Sequence, residues 1–435
     1  MKITTTFLII LVFCITFFSC QDTAETKKDN EVNVIATSQT ATDFYTEKHR
    51  PQFHFSPPAK WMNDPNGMVY YEGEYHLFYQ HYPDSTVWGP MHWGHAVSSD
   101  MINWEHLPIG LYPDELGYIF SGSAVVDHNN TSGFGKDGAP PMIAIFTHHE
   151  PEGARDESNK TFQYQSIAYS NDKGRSWTKY EGNPVVPNPG IRDFRDPKVS
   201  WHEASNQWVM VFAAWDQVKF YGSPDLKKWT HLSDFGKTHG SHGGVWECPD
   251  LFPLQVEGTN ETKYVLLVSI NPGAPNGGSG TQYFVGDFDG RSFVLDENFS
   301  GQVQNENGVW IDYGRDNYAG VTWSDIPETD GRRLFLGWMS NWHYAQVVPT
   351  DTWRSAMTLP RVLSLKKTDR GYQLFTQMAK EVEQLRNQSA TLAAGEISAD
   401  MDLTEKLSAA EGLRELTLTL NLPKGEKTKV GVELS

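Results

Sequence analysis

The chain has 435 residues, of which 39% are hydrophobic and 13% aromatic, so it can bury a large core and fits one large unit with a smaller one beside it. Its formal charge of −18 excludes nucleic acid, whose phosphates are bound by clustered Lys and Arg, and excludes direct adhesion to an anionic membrane surface. A neutral polymer such as a glycan is indifferent to that charge, and the 15 Trp either face sugar C–H groups or fill β-cores.

The N-terminus reads as a targeting segment. Lys2 precedes an apolar stretch over 7–18, too short for a lasting membrane span, and Ser19-Cys20 follows. This resembles a bacterial lipoprotein signal: residues 1–19 are removed and Cys20 carries the lipid. An ordinary signal peptide with an incidental Cys is the alternative. Residues 20–50 then form a polar, flexible tether. The expected location is the bacterial envelope, on the outer membrane and exposed at the cell surface. The membrane is met only through Cys20, and other glycan-uptake surface proteins are candidate partners. With Cys14 removed and Cys20 lipidated, Cys248 stands alone, so no internal disulfide forms and packing must hold the fold.

From residue 51 to 365 short apolar or alternating runs are separated by Gly, Pro, Asn and Asp, which predicts many short strands. Among them are 69–71, 75–80, 143–147, 208–213, 264–270 and 334–339. A weak repeat runs through this region. Ser98 to Trp104 recurs as Ser170 to Trp177 and Gly222 to Trp229, with Gly286 to Phe293 as a looser copy. Each copy joins a strand end, an Asp-containing turn and an aromatic that restarts a strand. The spacing of roughly 50 to 75 residues suits one four-stranded blade per copy, hence an all-β propeller. Past Pro360 the character shifts. Residues 366–435 read as a linker, with 381–387 a short helix or part of that linker, and the start of a β-sandwich that the given sequence leaves incomplete.

Hydrolysis of a glycosidic bond needs two carboxyl groups flanking it, one at the sugar carbon and one protonating the departing oxygen. With 54 acidic residues, local context must choose them. In Trp61-Met-Asn-Asp-Pro-Asn-Gly67, Pro65 stiffens the chain beside Asp64, while Asn63 and Trp61 offer a hydrogen bond and a sugar-facing ring. In Phe194-Arg-Asp-Pro197, Arg195 is a fixed cation beside Asp196. In Trp246-Glu-Cys-Pro249, Glu247 is flanked by apolar neighbours, as a general acid prefers. Each segment taken singly could be a turn, an ion pair or a buried structural acid.

Together the three segments resemble glycoside hydrolase family 32, the invertases, inulinases, levanases and fructan exohydrolases, over roughly 54–363. The resemblance implies a five-bladed propeller followed by a β-sandwich, and retaining cleavage of β-fructosidic bonds in levan, inulin or sucrose. It also implies Asp64 as nucleophile, Asp196 as transition-state stabiliser and Glu247 as acid/base. Asn63, Gln80, Trp88, Phe120, Ser121, Arg195, Asp312 and Trp338 match family segments and are implied to bind sugar. No cofactor or metal is expected: His148-His149 and His239-x-x-His242 read as loop residues with no third ligand. Two other readings compete, a related propeller hydrolase of arabinan or xylan and a non-catalytic glycan-binding lipoprotein.

Overall fold

The structure is a computed structural model that describes residues 45–387, except residue 306, and a few isolated positions beyond 387. The signal segment, Cys20, nearly all of the tether and most of the expected sandwich lie outside the described residues. The tether expected through residue 50 ends sooner. Arg50 is buried, donates to the carbonyls of Pro57 and Pro58, and lies 4.2 Å above the Trp353 ring.

Five antiparallel sheets follow one another along the chain. Their first strands are Lys60–Tyr71, Tyr118–Val126, Phe194–His202, Val245–Gln255 and Tyr318–Thr322. These strands pack against one another in order, and the last packs against the first. The result is a closed five-bladed propeller with the first strands around the axis. Blade I is joined to blade V by a short parallel pairing, Lys60 with Trp353 and Trp61 with Arg354. Every predicted run named above falls within a strand or its flank. The fifth sheet contains Arg361–Thr368 and Gly371–Met378, so the propeller runs past the boundary expected at 365. The change in composition after Pro360 occurs inside the last blade.

The sequence repeat is the turn between the third and fourth strands of blades I to IV. Ser98, Ser170 and Ser223 each bond the Asp two residues on, and that Asp accepts backbone N–H groups in the turn. Trp104, Trp177 and Trp229 each donate the indole N–H to a carbonyl three residues back. An Asp side chain that satisfies the turn and a ring that covers it explain why this pattern recurs. In blade V the turn is the shorter Thr368-Asp-Arg-Gly371, where the Thr368 hydroxyl accepts the Arg370 N–H, and Tyr372 follows it.

Apolar clusters fill the spaces between blades. Phe194, Phe212 and Ile145 pack between II and III; Trp246, Phe284 and Phe335 pack between III, IV and V; Trp61, Trp323 and Trp338 pack between V and I. Close-packed blade faces hold the ring rigid without a disulfide.

Candidate active site

One local device recurs at every blade. Each first strand places two residues opposite a single residue of its neighbour. These bulges fall between Met62 and Pro65, Ile119 and Gly122, Arg195 and Lys198, Glu247 and Asp250, and Tyr318 and Val321. A bulge bends the strand and re-aims its side chains. Asp196, Cys248 and Ala319 occupy the left-handed region there, with φ of 65°, 44° and 51°. This conformation is uncommon for residues other than Gly, and it is held by neighbouring bonds. The Asp196 N–H, for example, donates to the Thr147 hydroxyl at 3.0 Å.

The bulges bring the three predicted carboxylates into one site from three blades. Asp64 Oδ2 accepts from the Ser121 hydroxyl at 2.9 Å and from the Cys248 thiol at 3.7 Å. Asp196 Oδ2 accepts from the Cys248 N–H at 3.0 Å and lies 3.6 Å from the same sulfur. Arg195 Nη2 donates to Glu247 Oε1 at 3.0 Å, and Tyr318 donates its hydroxyl to Glu247 Oε2. Asp64 Oδ1 is buried and has no hydrogen-bond partner.

Charge in this space is poorly balanced, with three carboxylates around one guanidinium. Burial, then the negative Glu247 nearby, pushes the Asp64 carboxyl up to about 6. Burial raises Asp196 to about 7 against the pull of Arg195, with Glu247 and Asp64 adding to the rise. Burial and the same carboxylates hold the Cys248 thiol well above its usual value, so it stays neutral and can donate. Arg195 is bound more firmly to its proton by Glu247, Asp193 and Asp196, which outweigh its burial.

The other predicted residues divide. Asn63 lies beside the Asp64 carboxyl, which it helps to keep ionised, and accepts from the Trp61 indole at 2.7 Å. Gln80 stands opposite the Asn63–Asp64 bulge and donates to the Ile119 carbonyl at 3.0 Å, tying blade I to blade II. Phe120 is half-buried, stacks on His149 at 4.2 Å, and meets the exposed Trp88 edge-on at 6.1 Å. These aromatics form one wall beside Ser121.

Some expectations need correction. Trp338 is fully buried among Trp61, Tyr318 and Trp342, so it supports the site from behind instead of meeting sugar. Trp61 is buried as well, its ring part of the same support. Asp312, expected to bind sugar, is part-exposed and is engaged by Arg361 at 3.1 Å and Asn317 at 2.8 Å. The Glu247 carboxyl is not wrapped in an apolar shell: alternation along the strand sends Trp246 into the core and leaves Glu247 facing Arg195 and Tyr318. His148 and His149 also lie in a strand, Met142–His149, not in a loop.

Tyr318, Cys248 and Thr147 were not singled out as site residues. For Tyr318 the available signal was position: it opens the first strand of blade V, as Arg195 and Glu247 lie near the start of theirs.

Comparison with known proteins agrees with this arrangement. The chain is 59% identical over 358 residues to a levanase of Bacillus subtilis, covering 82% of this chain and 51% of that protein. It is 45% identical over 356 residues to an extracellular exo-inulinase of Aspergillus ficuum, covering 77% and 66%. The chain therefore spans between half and two thirds of these relatives. Among solved structures, an exo-inulinase from Aspergillus awamori superposes with a TM-score of 0.70 at 42% identity, covering 77% of this chain and 68% of that one. A β-fructofuranosidase from Schwanniomyces occidentalis, complexed with fructosyl-erythritol, superposes with a TM-score of 0.68 at 40% identity, covering 78% and 64%. The family model for the N-terminal domain of glycosyl hydrolases family 32 matches residues 54–377, and the chain belongs to that family.

Proposed function

We propose that this protein is a retaining glycoside hydrolase that removes β-linked fructose from levan, inulin or sucrose. The supporting observation is the convergence of Asp64, Asp196 and Glu247 on one sulfur and one guanidinium, each from a different blade. Relatives described as levanase, exo-inulinase and β-fructofuranosidase support the substrate class.

Asp64, aimed by Ser121 and the Cys248 thiol, attacks the anomeric carbon of the fructosyl unit. Glu247, held between Arg195 and Tyr318 and taking up a proton when substrate binds, delivers that proton to the departing oxygen and is left as the carboxylate. The glycosidic bond breaks, and the fructosyl unit becomes an ester of Asp64. Glu247 then takes a proton from water as it attacks the same carbon, and fructose leaves with Asp64 restored. Asp196 sits across the Cys248 sulfur from Asp64, where it can bind fructose hydroxyls as positive charge grows on the ring.

Incubation with levan, inulin, sucrose and arabinan, followed by identification of the released sugar, tests this reading. Fructose or fructo-oligosaccharides are expected. Release of arabinose alone, or binding with no release by active-site-intact protein, overturns it.

The lipoprotein character of the N-terminus belongs to the same proposal. Cys20 carries lipid, and the enzyme works at the bacterial envelope on polymers too large to import. Cys20→Ala should abolish incorporation of labelled palmitate and shift the protein out of the membrane fraction. Unchanged labelling refutes the anchor.

A further inference from the structure

Exposed aromatics are distributed unevenly over the propeller. The carboxylates lie near the starts of the first strands, so they mark one face of the ring. In a four-stranded antiparallel blade, the connections from second to third strand and from one blade to the next return to that same face. Trp88, Tyr112, Trp215 and Tyr313 all lie in such connections and are 37%, 55%, 50% and 61% exposed. Among the described residues, Phe375 is the large exposed aromatic off this face, and it lies under Lys366. A soluble protein has no need to gather bare rings on one face, and such a concentration marks a binding surface.

Trp215 stands apart within this group. It occupies a three-residue turn between Gln207–Ala214 and Val218–Ser223, with φ of 66°, a conformation bulky side chains seldom adopt. Two backbone bonds impose it. The Trp215 N–H donates to the Asp193 carbonyl at 3.0 Å, and its carbonyl accepts from the Trp246 N–H at 2.8 Å. The turn is thereby fastened one residue before Glu247 on blade IV and two residues before Arg195 at the entry to blade III. Trp246 turns its own ring inward to Ser241 and the core. The turn that carries the exposed ring of Trp215 is thus held by backbone bonds against the residue preceding Glu247, in a strained conformation that a ligand contact would justify.

We infer that Trp215 is a platform for the fructan chain on the departing side of the scissile bond, stacking on units beyond the one joined directly to the cleaved oxygen. This rests on the fructoside reading above and deepens it: the rim is built for an oligomer or polymer, with sucrose too short to reach it. The departing oxygen must lie against Glu247 to receive its proton. A chain leading outward from that oxygen passes over the turn fastened beside it.

The test compares Trp215→Ala and Trp215→Phe with the wild-type full chain, measuring kcat and KM on levan, on inulin and on sucrose. Trp215→Ala should lower kcat/KM on at least one of the polymers by about tenfold, the size of one lost stacking contact, mainly through KM. Its kcat/KM on sucrose should change by less than about twofold by the same reasoning, and Trp215→Phe should recover most of the polymer loss. Equal losses on polymer and sucrose would make Trp215 a mere support for Glu247 and overturn the inference; so would no loss on either polymer. A wild-type protein that releases no fructose from any of the three overturns the functional reading itself, which is a different result.

Discussion

Replacing Asp64 with Asn should make the protein more stable while abolishing its chemistry. The wild-type carboxylate is buried close to the negative Glu247, and its Oδ1 has no partner. Its pKa of about 6 in the folded chain, against an ordinary 3.8, means that ionising it costs the native state about 3 kcal/mol more than the unfolded chain. The sign follows from proton binding. Below about pH 3.8 the group is protonated in both states and nothing is lost. As pH rises through about 6 the folded chain must release a proton from an unfavourable place, and stability falls. An amide keeps an oxygen for the Ser121 hydroxyl and carries no charge. The melting temperature of Asp64→Asn should therefore exceed that of wild type by about 3–6 °C at pH 8, with little difference at pH 4, for a chain of this size. Calorimetry on both proteins without ligand, at both pH values, reads this directly. A variant less stable than wild type at pH 8, or equally advantaged at pH 4 and pH 8, would show that charge crowding at Asp64 is not what the geometry implies.

The same ionisation should shape activity: kcat/KM on sucrose should fall as pH drops through about 6, because a protonated Asp64 cannot attack, and a profile flat down to pH 4 would contradict this. Glu247→Ala should cut turnover on sucrose by about a thousandfold, read from released fructose, and turnover within about tenfold of wild type would contradict the acid/base role. Lys198→Met should lower stability by about 3–5 kcal/mol, read from urea midpoints, because the buried Asp250 would lose the ammonium 3.6 Å away. Trp177→Ala should cost about 3 kcal/mol of stability and leave kcat unchanged, since the ring packs edge-on against Phe78 at the seam of blades I and II, remote from the carboxylates.

The propeller was legible because its turns carry chemistry. An Asp that satisfies turn N–H groups and a Trp that covers them must recur wherever that turn recurs, so four blades announced themselves. The fifth did not, because its turn at 368–371 is shorter and is satisfied by the Thr368 hydroxyl instead of an Asp carboxylate, and the propeller's end was placed too early. Asp64, Asp196 and Glu247 were legible for a related reason: each sits in or beside a bulge whose Pro leaves a mark in the sequence, Pro65, Pro197 and Pro249. Tyr318 has Ala319-Gly320 after it and leaves no such mark. The direction a side chain faces was harder to read than its position. Trp61 and Trp338 lie near the site in the sequence pattern, yet both turn into the core, and only the packing of blade V against blade I decides that.

The bulges also account for how a symmetric scaffold holds an asymmetric reaction. Five strands converge with the same kink at the same level, so five sets of side chains reach a common space with little backbone adjustment. Blade I supplies a carboxylate, blade II a hydroxyl and an aromatic wall, blade III a guanidinium and a second carboxylate, blade IV a third carboxylate and a thiol, and blade V a phenol. The net negative charge raises the free energy of the resting site, most of all at Asp64. In the proposed mechanism, ester formation at Asp64 coincides with loss of the Glu247 proton, so the negative charge moves from the carboxyl that burial and crowding disfavour to one held by Arg195 and Tyr318. A site tuned this way should spend stability where the nucleophile stands, and a rigid ring of packed blades is what lets it do so without unfolding.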